Sequence, residues 1–266
     1  MRQEAATLQK FYASPLGRHV ALILRQRISA LWPDMARTAI LGHGYATPLM
    51  DQLPPTNKAR IASMPASQGA TTWSSAQNGV STALVEDTQW PFFSGMFDRV
   101  IILHGIEESL GADKLLSEAW RVLAPEGRIV VIASNRLGLW SGSDRTPFGH
   151  GRPWSRLQLS KSLNKANFQV TAWAHALYTP PFKAGWMMKF AETFEKVGSP
   201  FMASLSGLVM VEGVKRLYIE PKGLKSEGMI RVPIPAHSTP ATAPKVRAAK
   251  TSDRSTPTSS LTNDRP

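Results

Sequence analysis

Apolar residues along this chain gather into short runs joined by stretches at helical spacing, and the clearest case spans residues 97–132. Phe97-Asp98-Arg99-Val100-Ile101-Ile102-Leu103-His104 carries a run rich in Val and Ile, and Gly127-Arg128-Ile129-Val130-Val131-Ile132 carries a second. Short runs bounded by polar or turn residues are the pattern of parallel strands covered on both faces. Over Ser109–Leu123, residues Leu115, Leu116, Ala119, Trp120 and Leu123 recur at helical spacing, and Pro125 stops the helix. The pattern predicts a βαβ unit.

The rest of the chain extends it on both sides. Residues 4–32 predict one or two helices, with Leu8, Phe11, Tyr12, Val20, Leu22, Ile23, Ile28 and Leu31 near helical spacing and a break at Ser14-Pro15-Leu16-Gly17. Strands are expected at Thr38–Leu41, Lys58–Met64 and Thr82–Val85, ahead of a fourth at Arg99–Leu103. Beyond the fifth come a helix over Trp154–Asn167, a strand opening at Phe168-Gln169-Val170, an amphipathic helix over Phe182–Val197, and a closing strand over Gly207–Lys215. Strands alternating with helices predict an α/β fold around a mostly parallel sheet.

Candidate chemistry collects at the carboxyl ends of the expected strands, where an open parallel sheet binds ligands. Gly42-His43-Gly44-Tyr45-Ala46-Thr47 is a glycine-rich turn that lets the backbone approach a ligand. The third strand leads into Glu86-Asp87-Thr88-Gln89-Trp90-Pro91-Phe92, and the fourth into His104-Gly105-Ile106-Glu107-Glu108. Either segment serves a ligand or only closes a strand: the acids as solvated residues, Trp90 and Phe92 as core, His104 as a local hydrogen-bonding partner. After the fifth strand, Ser134–Trp154 is a long connection with Arg136, Arg145, Arg152 and Trp154, residues able to grip an acidic or aromatic substrate or to stay solvated.

Over residues 36–216 this order resembles the class I S-adenosylmethionine-dependent methyltransferases of the type 11 kind. The matching motifs are Phe97-Asp98 followed by Val100, then Arg121-Val122-Leu123-Ala124-Pro125-Glu126-Gly127, where Glu126 stands in place of the first glycine. The resemblance implies a Rossmann-like class I methyltransferase fold, a seven-stranded mostly parallel sheet flanked by helices, with S-adenosyl-L-methionine as cofactor. It places Gly42, His43 and Gly44 in the cofactor loop, with Ala46 at the third glycine and Ile40 where an acidic residue is usual. Met64 falls at the second strand end, where the family carries a ribose-binding carboxylate; no carboxylate occurs between Asp51 and Glu86, leaving Ser63, Ser67 or Gln68 as neutral substitutes. Glu86, or its neighbour Asp87, falls at the adenine position with Trp90 beside it. His104 falls beside the methionine moiety, where it can position the sulfonium or act as a general base; His150 is a second candidate proton acceptor. A nicotinamide or flavin cofactor fits less well, because Gly-x-Gly-x-Ala lacks the third-glycine spacing of that fingerprint.

Composition narrows the function classes. The 266 residues suffice for one large domain with appendages, read as a helical segment over 1–35, a methyltransferase-like domain over 36–220 and a tail over 221–266. Cysteine is absent, which excludes thiolate catalysis and cysteine-ligated metals, and six histidines without HxH or HExxH spacing give no metal site. No apolar run approaches the roughly 18 residues of a membrane span, so a cytoplasmic protein is expected. Of the net charge of +12, the tail contributes eight basic against three acidic residues. Rich in Pro, Ser, Thr and Ala, it reads as disordered, either a solubilising segment or a tether to nucleic acid. Two functions stay open: an enzyme methylating an unknown acceptor, a small molecule before a macromolecule, or a methyltransferase-like module that binds or assembles without catalysing. The enzyme is the leading reading, and the two missing carboxylates add weight to the module.

Overall fold

The computed structural model describes residues 2–51, 53–54, 58–75, 79–178, 181, 206–217 and 230–231. The helix expected over 182–197 and the tail over 221–266 lie outside the described residues, apart from 230–231.

The chain opens with α1 (Ala5–Ala13) and α2 (Pro15–Leu31). Ser14 separates them and starts the second: its Oγ accepts from the Gly17 amide at 3.1 Å, and Pro15 supplies the preset φ of a first helical residue. Then follow β1 (Ile40–Gly44), the single turn α3 (Thr47–Met50), β2 (Arg60–Pro65), a two-stranded ribbon of β3 (Ser74–Ser75) and β4 (Gly79–Val80), and β5 (Thr82–Val85). The second half holds β6 (Phe97–Leu103), α4 (Ala112–Val122), β7 (Leu123–Ser134), α5 (Arg156–Lys165), β8 (Phe168–Ala176), β9 (Leu208–Lys215) and the two-residue β10 (Ile230–Arg231). Helix α5 begins at a capping box: Ser155 Oγ accepts from the Gln158 amide at 3.2 Å, and Gln158 Oε1 accepts in return from the Ser155 amide at 3.0 Å.

The sheet order is β5-β2-β1-β6-β7-β9-β8, with β10 pairing parallel on β8 at the edge. All pairings are parallel except those of β9, which runs antiparallel between β7 and β8. This is the seven-stranded, mostly parallel sheet expected. Order reverses between β1 and β6, and at such a switch point the diverging loops leave a crevice over the carboxyl ends of the strands.

Side chains of β1, β6, β7 and β9 alternate between two cores. Ile40, Ile101, Leu103, Val130, Ile132 and Met210 pack under α1 and α2, while Leu41, Val100, Ile102, Ile129, Val131 and Val211 pack against α4 and α5. Covering both faces is why these strands read as unbroken apolar runs rather than as alternating ones.

Two points concern the glycine motifs. First, Gly42-His43-Gly44 belongs to β1 and not to the turn after it, because its residues pair with both Gly42↔Ala62, His43↔Ser63 of β2 and Gly42↔Ile101 to Gly44↔Leu103 of β6. Second, Glu126 adopts φ +59°, the left-handed region that explains why glycine is usual at this point of the motif.

Candidate functional site

The crevice is built from the ends of β1, β2, β5 and β6. Tight packing beneath it uses the glycines. A Cβ on Gly42 would lie 2.2 Å from Met50 Sδ of α3, and Gly44, at φ +83°, would place one 2.2 Å from the Leu103 carbonyl oxygen of β6. Arg60 in β2 holds the turn after β1 in place by donating to the Met50, Leu53 and Pro54 carbonyls at 3.3, 3.5 and 2.6 Å.

His43 lies between these glycines and is fully buried. Its ring stacks on Trp90 at 4.5 Å, and Nδ1 sits 3.1 Å from Ser63 Oγ. Ser63 donates to the Gly42 carbonyl at 3.4 Å, which makes Nδ1–H the donor to Ser63 and leaves Nε2 as an acceptor. Nε2 has no hydrogen-bond partner among the described residues and lies 3.8 Å from Asp87 Oδ1. Burial, reinforced by the nearby Arg2 charge, lowers the His43 pKa to about 3, so the ring is neutral and the approach to Asp87 is no ion pair.

Of the neutral substitutes in and just after β2, Ser63 supports His43 and Ser67 accepts from Arg2 Nη1 at 3.3 Å. Gln68, 3 % exposed, donates to the Gly44 carbonyl at 3.2 Å with its own Oε1 unpartnered among the described residues. Met64 is buried, and its sulfur accepts from the Thr71 amide at 3.4 Å. After β5 the two acids part: Glu86 is exposed, bridging to Gln89, whereas Asp87 turns inward and accepts from Arg2 Nη1 at 2.6 Å. The Trp90 backbone is held by Glu118 and Arg121 of α4, with the amide 2.8 Å from Glu118 Oε2 and the carbonyl 2.8 Å from Arg121 Nη2. That clamp fixes the ring against His43.

After β6, His104 adopts φ +54° and lies 2.9 Å from the Tyr12 hydroxyl of α1, with its ring 4.6 Å from Phe148. Tyr12 in turn stacks on Tyr45 at 5.9 Å. Burial alone lowers the His104 pKa to about 3, so it is a neutral hydrogen-bonding partner near pH 7 and a weak base. His150 bonds instead to the Asp144 carbonyl at 3.3 Å. In the long connection after β7, Arg136, Arg145 and Arg152 are all exposed, the last with its guanidinium 5.7 Å from the Trp154 ring centre.

Glu107 is buried, with Oε1 accepting from the Ser134 amide at 3.1 Å and Oε2 unpartnered among the described residues. Burial raises its pKa to about 7, against an ordinary value of 4.5. The folded protein therefore holds a proton that the unfolded chain has released, and stability falls as pH rises from about 4.5 to 7, then levels. The expected loss is on the order of 3 kcal/mol. Urea unfolding at pH 5 and pH 8 checks this: Glu107→Gln should flatten the difference, and an equal slope in both proteins would refute it.

Arg2, Tyr12, Tyr45, Glu107 and Phe148 are thus part of the site, though only Tyr45 and Glu107 lay in motifs that the sequence singled out. Arg2 comes from outside any motif and carries no sequence signal.

Comparison with known proteins agrees with this architecture. A family profile for the methyltransferase domain matches residues 41–131, from β1 to β7. No curated protein matches the chain in sequence. Among solved structures, a possible histamine N-methyltransferase of Thermotoga maritima aligns with TM-score 0.56 at 16 % identity, over 78 % of this chain and 94 % of that one. A methyltransferase of Archaeoglobus fulgidus aligns with TM-score 0.50 at 14 % identity, over 78 % and 97 %. At such identities the structures speak to fold, while the profile covers the β1 loop, the Asp87 loop and the His104 loop. Residues 41–131 thus match the methyltransferase-domain family, and the chain as a whole has the fold of S-adenosylmethionine-dependent methyltransferases.

Proposed function

We propose that the protein transfers a methyl group from S-adenosylmethionine to a small acceptor by in-line displacement. The observation that carries this reading is the set of buried acceptors facing the crevice: His43 Nε2 and Gln68 Oε1, both unpartnered among the described residues, with the Asp87 carboxylate between strand ends. Although Asp87 accepts from Arg2, the unpartnered His43 Nε2 and Gln68 Oε1 suit a ligand that brings amino and hydroxyl donors. The residues present therefore fit the cofactor. His43 Nε2 and Asp87 would hold the adenine amino group, Trp90 would keep His43 in register, and Gln68 with the Gly42–Gly44 backbone would hold the ribose and methionine parts.

The cofactor supplies a methyl group already activated by its sulfonium, so the protein's work is alignment and exclusion of water. Tyr12, Tyr45, Phe148 and neutral His104 form the dry wall on the α1 side. A cleft of about 720 Å³ adjoins the crevice, lined in part by Thr88, Ile106, Glu107, Lys114, Arg152 and Trp154. Its size suits a small acceptor. Half-protonated near neutral pH, Glu107 on that lining is better placed than His104 to take an acceptor's proton.

Calorimetric titration with S-adenosylmethionine and S-adenosylhomocysteine tests the reading. Micromolar binding, weakened roughly ten- to a hundredfold by Asp87→Ala as expected for loss of a charged hydrogen bond, supports it. Absence of binding at millimolar ligand would leave the non-catalytic module, which the missing carboxylates at Ile40 and Met64 favour.

A further inference from the structure

The crevice is already engaged by the chain itself. Ser67, Asp87 and Gly105 each lie two residues past a strand end, those of β2, β5 and β6. Because the sheet order is β5-β2-β1-β6, these loops flank β1 on both sides, and a ligand lying over the Gly42–Gly44 end of β1 must touch them. One side chain joins all three. Arg2 Nη1 donates to Asp87 Oδ1 at 2.6 Å and to Ser67 Oγ at 3.3 Å, and Nη2 donates to the Gly105 carbonyl at 3.0 Å. A second carboxylate, Glu108, stands 3.7 Å from Arg2 Nε and accepts from the Gln3 amide at 2.7 Å.

This arrangement is a built receptor for a planar cation rather than a surface contact. The Arg2 side chain is 4 % exposed, and its carboxylate partners Asp87 and Glu108 are 21 % and 10 % exposed. Burying a guanidinium is unfavourable unless carboxylates and acceptors surround it, and here they do. Three of its contacts are also groups that a donor-bearing ligand would need. Asp87 cannot serve Arg2 and an adenine amino group equally, and the Arg2 charge beside His43 suppresses any cationic ligand there.

We propose that Arg2 is an internal stand-in for the cofactor. Residues 2–4 form a latch over the crevice, and S-adenosylmethionine enters only when the latch leaves Ser67, Asp87 and Gly105. The proposal rests on the cofactor reading above and adds how that site is controlled. Affinity measured on the closed protein is lowered by the fraction of time the latch is open. Opening the latch gives up only these polar contacts of Arg2 and Gln3, while Ala5, Leu8 and Tyr12 keep α1 seated on the core.

Two measurements on the full chain test this. In calorimetric titration with S-adenosylhomocysteine, Arg2→Ala is expected to bind about tenfold tighter than the parent protein, and Arg2→Lys, which keeps charge but loses the fork, to fall between. In the unmodified protein, exchange of the Gln3 amide with solvent deuterium, slow while it is bonded to Glu108, is expected to speed up on adding the same ligand. Tighter binding with faster Gln3 exchange supports the latch. Equal binding by parent and variant, with Gln3 exchange unchanged, overturns the latch and leaves the cofactor reading standing. Failure of both proteins to bind overturns the cofactor reading, and the latch with it.

Discussion

Gly44→Val is expected to destabilise the domain by roughly 4 kcal/mol, the sum of a β-branched residue in the left-handed region and a backbone clash. Gly44 holds φ +83°, and a Cβ there would stand 2.2 Å from the Leu103 oxygen and 2.9 Å from the Gly105 nitrogen. Neither atom can swing away, since Leu103 pairs with Gly44 in the ladder and its carbonyl accepts from the Tyr45 amide at 2.7 Å. Relief must come from parting β1 and β6 at the switch point, which also disturbs Gly105 and the floor of the crevice. Urea unfolding measures the loss; a change below about 1 kcal/mol, smaller than the strain of one left-handed residue alone, would show that β1 and β6 are not packed this closely.

Glu212→Ala is expected to cost roughly 3 kcal/mol, because it strands buried donors. Glu212 is 3 % exposed in β9, between Val130 of β7 and Ala172 of β8. It accepts from Trp32 Nε1 at 2.8 Å, from Arg128 Nη1 at 2.9 Å and from Thr171 Oγ1 at 2.5 Å. Arg128 is 40 % exposed and recovers much of its solvation, so the larger share falls on the buried Trp32 indole and on Thr171. Glu212→Gln, which keeps an acceptor and loses the charge, should cost about half as much. Equal stability of the alanine variant and the parent in thermal unfolding would contradict this anchoring of the end of α2 to the antiparallel strands.

Much of this fold was legible because its forces are local. The Val/Ile runs at Val100–Leu103 and Ile129–Ile132 are unbroken since each strand is covered on both faces, and Ser14-Pro15 marks a helix start through its own side chain and ring. Limits of the glycine segment were misjudged because turn chemistry outweighs ladder pairing when only the sequence is read, yet Gly42 and Gly44 are held by partners on β2 and β6. Of the two adjacent acids, the sequence offered no means of telling which faces inward; Asp87 does so because Arg2 lies opposite. That contact joins positions 85 apart, and the bond to Gly105 joins positions 103 apart, with no periodicity to announce either. His104 read as a candidate base from its place after β6, but burial against Tyr12 and Phe148 decides its protonation, and burial of that kind is set by α1 and by the connection after β7.

Deuterium exchange mapped across the whole chain, with and without saturating S-adenosylhomocysteine, tests the central claim most directly because it asks both whether the cofactor binds and where. The account predicts slowed exchange confined to residues 42–46, 63–68, 87–90 and 103–105, the strand ends and following loops of β1, β2, β5 and β6. An unchanged map, or protection only elsewhere, would contradict it.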